Sequence, residues 1–243
     1  MSKKTVVITG ASSGIGLALA KAYLEAGYNV VANARGRERL ESARRELGSP
    51  ENFLVDEGDI GLPETAKKLF SAALGRFDRV HVLVNNAGIF TAKPFVDYTQ
   101  EELALLVSTS LNGFVYATQE AVRHMVSHKD GHIINVTASI ASQPLANVPA
   151  VLPVLVKGGL NHATKALALE LAAHNVKVSA VAPGIIDTPM YTTNLHDFLN
   201  TLQPVGHMGT TRDVADAVLY LSRAEFTTGV VLPVDGGMAS GRF

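Results

Sequence analysis

The sequence predicts an α/β fold in which a parallel sheet is covered by helices on both faces. Short runs rich in β-branched residues alternate along the chain with longer segments of helical periodicity, a pattern typical of parallel sheets. The early runs are apolar throughout, as expected of strands that are covered on both faces. The length of 243 residues, 47% of them hydrophobic, suits one domain of ordinary size.

Seven strands are predicted, one for each β-branched run. In chain order they are TVVIT (5–9), NVVAN (29–33), NFLV (52–55), VHVLV (80–84), HIINV (132–136), VKVSAV (176–181) and GVVLPV (229–234). No linker, repeat or low-complexity segment separates them. Residues 1–243 are therefore predicted to form a single domain.

Five segments between the strands have helical periodicity. They are GLALAKAYLEAG, ERLESARREL, PETAKKLFSAAL, a long stretch over about 99–125, and residues 154–173. We expect the last of these helices to begin within a residue or two of Pro153, because proline is tolerated in a first helical turn but not in a helix interior. Residues 188–211 have weak periodicity and predict a long loop with a short helix or two, covering the active site.

Composition excludes several classes of protein. The net charge of -1 and the absence of cysteine argue against a nucleic-acid partner, disulfides and cysteine metal sites. The longest apolar stretch, 148–156, contains two prolines and cannot span a bilayer. His124 and His128 stand four apart without a third ligand nearby, so we interpret them as a solvated helix end and predict no metal. The expectation is a soluble cytoplasmic protein with no membrane partner.

A glycine-rich turn, TGASSGIG, follows the first strand and opens the first helix. Glycines in such a turn let the backbone come close to a pyrophosphate, which the helix N-terminus then binds. The alternative is a strand–helix turn with no ligand, but the strand–turn–helix context favours a nucleotide site. The predicted cofactor-binding residues of this turn are Gly10, Ser12, Ser13, Gly14, Ile15 and Gly16.

The end of the second strand predicts which dinucleotide is bound. Sites that select NAD carry an acid there, which holds the ribose 2′-hydroxyl. In this chain the position is Ala34, followed by Arg35, Gly36 and Arg37. A missing carboxylate beside a guanidinium suits a 2′-phosphate, so we predict NADP(H) with Arg35 as a binding residue. The alternative is a solvated arginine on a loop.

The motif NNAG ends the fourth strand and contributes Asn86, Ala87 and Gly88. Asparagine side chains there can hydrogen-bond backbone between strands and steady the nucleotide pocket. Taken alone, the motif is more typical of an ordinary Asn-rich turn.

Together these motifs carry a resemblance. TGASSGIG, Asp59 after the third strand, NNAG, Lys157, VAPGIIDTPM and GVVLPVDGG occur in order along the whole chain. The chain resembles a short-chain dehydrogenase/reductase of the 250-residue type. The resemblance implies a Rossmann-type, doubly wound, seven-stranded sheet and a nicotinamide cofactor across the strand ends. It implies Asp59 near the adenine and dimers or tetramers through two long helices. It further implies that Lys157 holds the nicotinamide ribose, and that Thr188, after the Pro183-Gly184 turn, binds the carboxamide. Pro183, Gly184 and Ile186 are implied as further cofactor-binding residues of this segment.

The chain departs from the family at the reacting centre. The family uses an Asn, a Ser, a Tyr and a Lys, with the Tyr four residues before the Lys. Aligned on the motifs, these positions hold Ser110, Ala138, Pro153 and Lys157. Only the lysine is kept. Ser139, one residue further on, and Tyr191, in the covering loop, are the candidate substitutes, although Tyr191 also fits an ordinary polar residue of a lid.

Three hypotheses of function follow. The first is an NADP(H)-dependent oxidoreductase acting on an unidentified carbonyl or alcohol with a changed proton source and weak or atypical activity. The second is an enzyme that has given up redox chemistry, and the third is a catalytically silent ligand-binding or regulatory protein. The apolar surroundings of Ile140 and residues 148–156 favour an apolar small molecule as the ligand.

Overall fold

Seven parallel strands form one sheet in the computed structural model, which describes residues 3–241. Their order across the sheet is β3-β2-β1-β4-β5-β6-β7. The strands are β1 (Thr5–Thr9), β2 (Asn29–Ala34), β3 (Phe53–Glu57), β4 (Val82–Asn85), β5 (Gly131–Val136), β6 (Val176–Pro183) and β7 (Val231–Val234). The predicted seven-stranded parallel sheet is confirmed.

Helices cover both faces of the sheet. They are α1 (Gly14–Glu25), α2 (Arg37–Glu46), α3 (Pro63–Phe77), α4 (Gln100–Leu106), α5 (Gly113–His128), α6 (Val151–Leu171), α7 (His196–Asn200) and α8 (Thr211–Arg223). Side chains alternate between the faces along each strand. In β1, Val6 and Ile8 pack in the cluster that contains residues of α1, α2 and α8, whereas Val7 packs with residues of α3, α5 and α6. The apolar runs therefore reflect a sheet that is buried on both sides.

The strand order places a crevice at the carboxyl end of β1. The chain moves outward from β1 through β2 to β3, then returns to the other side of β1 at β4. The connections that leave β1 and β4 consequently diverge to opposite faces, and ligands of open α/β sheets bind at such a point. The glycine-rich turn and NNAG are the segments that follow these two strands.

The start of α6 agrees with the proline argument. The helix begins at Val151, two residues before Pro153, and Pro149 lies outside it. Pro153 is the third residue of the helix, where its missing N–H would have no partner within the helix. The first N–H that does have one belongs to Val154, which donates to the Ala150 carbonyl at 2.9 Å.

Two helical features differ from the prediction. The predicted stretch over about 99–125 is interrupted by a π-helical turn, Val107–Asn112, between α4 and α5. Helix α8 was not predicted, although its buried residues Val214, Val218 and Leu221 have helical spacing. Its N-terminus also carries a capping box, in which Thr210 and Asp213 bind each other's backbone N–H groups.

Two histidines are held neutral by the fold, which makes stability depend on pH. His132 is 4% exposed, and burial lowers its pKa to about 3. His81 accepts a hydrogen bond from the Thr5 N–H at 3.0 Å, and burial followed by repulsion from Arg79 lowers its pKa to about 4. In the unfolded chain both take up protons below about pH 6.5. Stability is therefore expected to fall as the pH drops from about 6.5 towards 4, by up to about 1.4 kcal/mol per pH unit for each histidine.

Urea unfolding between about pH 7.5 and 4.5 measures this dependence. His81→Asn, which keeps an acceptor without the titration, is expected to flatten the slope. His162→Asn is the matched control, because His162 is exposed on α6 and its replacement should leave the slope unchanged. A stability that is flat across this pH range in the parent protein would contradict the assignment of two histidines that the fold holds neutral.

Candidate active site

A cleft of about 730 Å³ opens at the carboxyl ends of the strands. The glycine-rich turn, the ends of β2 and β4, one residue of α6 and the segment after β6 all contribute to its lining. The motifs identified from the sequence lie far apart along the chain, and the fold brings them together around this cleft. One end is lined by backbone and polar groups, and the other is apolar.

The glycine-rich turn can approach a ligand because its backbone takes conformations that side chains disfavour. Gly10 and Gly14 have φ angles of 68° and 52°. A Cβ on Gly10 would lie 2.9 Å from the Ala87 Cα, and one on Gly16 would lie 2.6 Å from the Asn86 amide nitrogen. The predicted residues of this turn, Gly10, Ser12, Ser13, Gly14, Ile15 and Gly16, all line the cleft.

The N-terminus of α1 is open to an anion. The N-cap residue, Ser13, makes no side-chain capping bond, and the first turn carries no acidic residue. The first N–H groups of a helix have no partner within it and carry partial positive charge. These donors suit the pyrophosphate of a dinucleotide.

Asn86 fixes the geometry of the turn from the neighbouring strand. Its side-chain amide donates to the carbonyls of Thr9 and Gly10 at 2.9 and 3.1 Å. The Thr9 hydroxyl in return accepts from the backbone N–H groups of Asn86 and Ala87, each at 3.0 Å. Asn86 thus braces the two strand ends through bonds to backbone, and Asn86, Ala87 and Gly88 all line the cleft.

Two guanidinium groups stand at the end of β2. Arg35 is exposed and lines the cleft. Arg37, which was considered beside it, lies outside the lining and faces Glu41 at 3.6 Å. Arg39 lines the cleft in its place, with its Nε 3.6 Å from the position that a Cβ on Gly36 would take. Side chains in the first turn of a helix lean towards its N-terminus. Arg39, in the first turn of α2, can therefore reach the cleft.

Two further predicted binding segments also lie in the cleft. Asp59 lines it next to the end of β3, and its carboxylate accepts the Gly61 N–H at 2.9 Å. At the other side, Pro183, Gly184, Ile186 and Thr188 line it. The Thr188 side chain comes within 3.5 Å of the Cβ position of Gly14, so the segment after β6 closes over the glycine-rich turn.

Lys157 lies in the middle of the cleft. It is 8% exposed, and its Nζ donates to the Val136 carbonyl at 2.9 Å. Burial lowers the pKa of this amine to about 8, because removing an ammonium from water disfavours its charged form.

The positions around Lys157 offer few groups for proton transfer. Ser110 lies buried in the π-helical turn, and its hydroxyl has no partner among the described residues. Ala138 lines the cleft without a polar atom, and Pro153 is buried outside the lining. Of the two predicted substitutes, Tyr191 lines the cleft, whereas Ser139 does not.

Ser139 is 1% exposed, and its hydroxyl has no partner among the described residues. Ala138 has extended backbone, so the side chains of these neighbours point in different directions. The structure therefore gives Ser139 no access to the cleft. Burial raises the pKa of the Tyr191 phenol, which makes it a weaker proton donor than an exposed tyrosine.

The apolar end of the cleft forms a chamber lined by aliphatic and aromatic side chains. Ile140, Leu145 and Val148 line it from the segment between β5 and α6. Phe90, Tyr191, Phe198, Leu199, Leu202 and Met238 complete the chamber. Phe90 and Met238 were not predicted, because only folding brings the segment after β4 and the C-terminal segment to this place.

Within residues 3–241, no group of three or more histidine, aspartate and glutamate side chains could hold a metal ion. In the same part of the chain, no helix is both long enough and apolar enough to cross a membrane.

Comparison with known proteins identifies the family. The family model described as enoyl-(acyl carrier protein) reductase matches residues 10–239. The chain belongs to the short-chain dehydrogenase/reductase family of oxidoreductases. It is 35% identical to 3beta-hydroxysteroid dehydrogenase 1 of Eggerthella lenta, over 97% of this chain and 93% of the relative. It is 33% identical to L-xylulose reductase of Mus musculus, over 98% and 97%.

Solved structures agree with the fold. ElxO with bound NADP superposes with a TM-score of 0.92 at 30% identity, covering 98% of this chain and 100% of that one. A 3-ketoacyl-(acyl-carrier-protein) reductase of Brucella melitensis complexed with NADH gives 0.92 at 30% identity, covering 98% and 99%. The Rossmann-type architecture is therefore confirmed by whole-chain superposition as well as by the strand order.

Proposed function

We propose that the chain is an NADP(H)-dependent oxidoreductase with an atypical active site, acting weakly on an apolar carbonyl compound or alcohol. One observation carries the proposal: an open helix N-terminus, two guanidinium groups and Lys157 line the same cleft. Solved relatives with NADP or NADH bound share this fold, which supports the nicotinamide dinucleotide as the ligand.

Each part of the dinucleotide has a matching group in the cleft. The amides of the glycine-rich turn would hold the pyrophosphate, and Asp59 would contact the adenine. Arg35 and Arg39 would pair with the 2′-phosphate. Lys157 would donate to the nicotinamide ribose, and Thr188 would bind the carboxamide.

Proton transfer is the weak part of the proposed reaction. Bound NADPH would supply a hydride to a carbonyl carbon, and the carbonyl oxygen then needs a proton. Tyr191 is the candidate donor that lines the cleft, but its raised pKa opposes donation near neutral pH. We therefore expect slow turnover.

A second candidate function follows from the same positions. Ala138 and Pro153 supply no acid or base where the family has Ser and Tyr, which equally suits a non-redox enzyme or a silent ligand-binding member. Cofactor binding with measurable turnover supports the oxidoreductase. Binding without turnover favours the second candidate.

Assembly into a homo-oligomer is part of the proposal. Leu155 and Leu169, on α6, are 65% and 83% exposed, and apolar exposure of this extent on a helix supports a contact with another copy. Sedimentation of the purified chain tests this.

NADPH is expected to bind more tightly than NADH, by about tenfold to a hundredfold, because a charge-assisted contact to the 2′-phosphate is worth roughly 1.5–3 kcal/mol. Calorimetric titration of both cofactors measures the difference. Arg35→Ala is expected to remove most of it.

Arg37→Ala is the matched control. Arg37 is two residues from Arg35 and equally charged, but it lies outside the cleft, so its loss should leave the preference intact. Equal affinities for the two cofactors in the parent protein would overturn the assignment of the 2′-phosphate site.

A further inference from the structure

The side-chain amine of Lys157 lines the cleft, where a ligand can reach it. Within the described residues it forms no ion pair. Its one hydrogen bond within the described residues goes to a backbone carbonyl, that of Val136. The ionisable residues lining the same cleft are Arg35, Arg39, Asp59, Lys157 and Tyr191. Burial lowers the pKa of the Lys157 amine.

A buried hydroxyl adjoins the amine. A Cβ on Gly88 would lie 3.1 Å from the Lys157 Nζ and 3.7 Å from the Ser110 Oγ, so both groups face the same point. Ser110 is 2% exposed, and its hydroxyl has no partner in the described part of the chain. The amine and a hydroxyl that can pass a proton therefore border the same space, which the missing side chain of Gly88 leaves open.

The surroundings keep a usable fraction of the amine unprotonated. Burial lowers the pKa of Lys157 from 10.5 to about 8. At about pH 7.5 the neutral fraction is then roughly two-hundredfold greater than that of an ordinary lysine. Desolvation of this kind activates lysines as nucleophiles.

We propose that Lys157 forms an imine with an aldehyde or unhindered ketone that enters the apolar end of the cleft. The neutral amine attacks the carbonyl carbon, a C–N bond forms, and the carbonyl electron pair moves to oxygen, which takes a proton. The resulting carbinolamine loses that oxygen as water while nitrogen gives up its second proton, so amine plus carbonyl yields imine plus water. The Ser110 hydroxyl is placed to carry these protons.

This activity goes beyond hydride transfer and does not depend on it. The residue that would hold the ribose is the same residue that would carry the imine. Dinucleotide and imine therefore compete for Lys157. In the family the tyrosine lies one helical turn before the lysine, on the same face of the helix. Pro153 stands at that position in this chain, so no hydroxyl there can hydrogen-bond the Lys157 amine.

Reductive trapping tests the proposal. The purified protein is incubated with benzaldehyde and sodium cyanoborohydride, which converts an imine to a stable benzylamine, and each lysine is quantified by peptide mass spectrometry. Lys165 is the internal control, because it is exposed on the same helix. We expect Lys157 to react at least about tenfold faster than Lys165 near pH 7, and the rate at Lys157 to level off above about pH 8.

Benzylation of Lys157 no faster than that of Lys165 would overturn the proposal, as would a rate at Lys157 that keeps rising up to about pH 10. Saturating NADPH is expected to suppress labelling of Lys157 alone. Fast labelling of Lys157 without protection by NADPH would uphold the imine and contradict the placement of the ribose, so the two proposals fail separately. Lys157→Arg checks the peptide assignment, since the fast site should vanish while Lys165 is labelled as before.

Discussion

Replacing Gly16 with alanine is expected to abolish measurable NADPH binding. The added methyl group would collide with the Gly10 carbonyl oxygen and stand 2.6 Å from the Asn86 amide nitrogen. The turn would have to open, and the two bonds from Asn86 that set its shape would be lost. Overpacking and lost buried hydrogen bonds together cost at least about 3 kcal/mol, which corresponds to more than a hundredfold in affinity.

Gly75→Ala is the matched control for this change. Gly75 is an exposed residue inside α3, and a Cβ there meets nothing within 4 Å. Alanine at such a position is expected to stabilise the protein by about 0.5–1 kcal/mol and to leave binding unchanged. Calorimetry and circular dichroism on both variants separate loss of the site from loss of the fold. Full affinity in the folded Gly16 variant would show that the cofactor does not use this turn.

The combined substitutions Ala138→Ser and Pro153→Tyr are expected to raise NADPH-dependent reduction of ketones by at least about tenfold. A tyrosine one helical turn before Lys157 would face the amine, whose charge lowers the phenol pKa. A positioned general acid contributes roughly 10²–10⁴ in rate. The gain should fall short of that range, because Ser110 still replaces the family's Asn and residue 153 lies outside the present cleft lining.

The control variant combines Ala138→Ser with Pro153→Phe. Phenylalanine has the same ring without the hydroxyl, so any effect of reshaping α6 appears in both variants. Steady-state rates with a panel of ketones measure the difference. Equal rates for the tyrosine and phenylalanine variants would contradict the view that a missing proton donor limits the reaction.

The sequence predicted those parts of the fold that depend on neighbouring residues along the chain. The strands of the sheet were predicted because both faces are buried, which leaves apolar runs such as Val6–Ile8 in the sequence. The start of α6 followed from proline geometry alone. The position of the glycine-rich turn followed from its place between a strand and a helix.

Features that depend on tertiary arrangement were missed or misplaced. Arg37 and Arg39 cannot be told apart by type or charge, and only the path of α2 decides which one reaches the cleft. Ser139 was a candidate because it neighbours Ala138 in sequence, but backbone direction buries its hydroxyl away from the cleft. Phe90 and Met238 enter the chamber from distant parts of the chain.

The central claim is that the chain binds NADPH while the chemical step lacks a well-placed proton donor. Calorimetric binding of NADPH and NADPH oxidation against a panel of apolar aldehydes and ketones, measured on the same preparation, test it most directly. We predict saturable binding together with a kcat below about 0.1 s⁻¹, one hundredth of the typical ~10 s⁻¹, for every carbonyl compound. Turnover near ~10 s⁻¹ on any of them would contradict the claim, and Tyr191→Phe would then show whether Tyr191 is the donor.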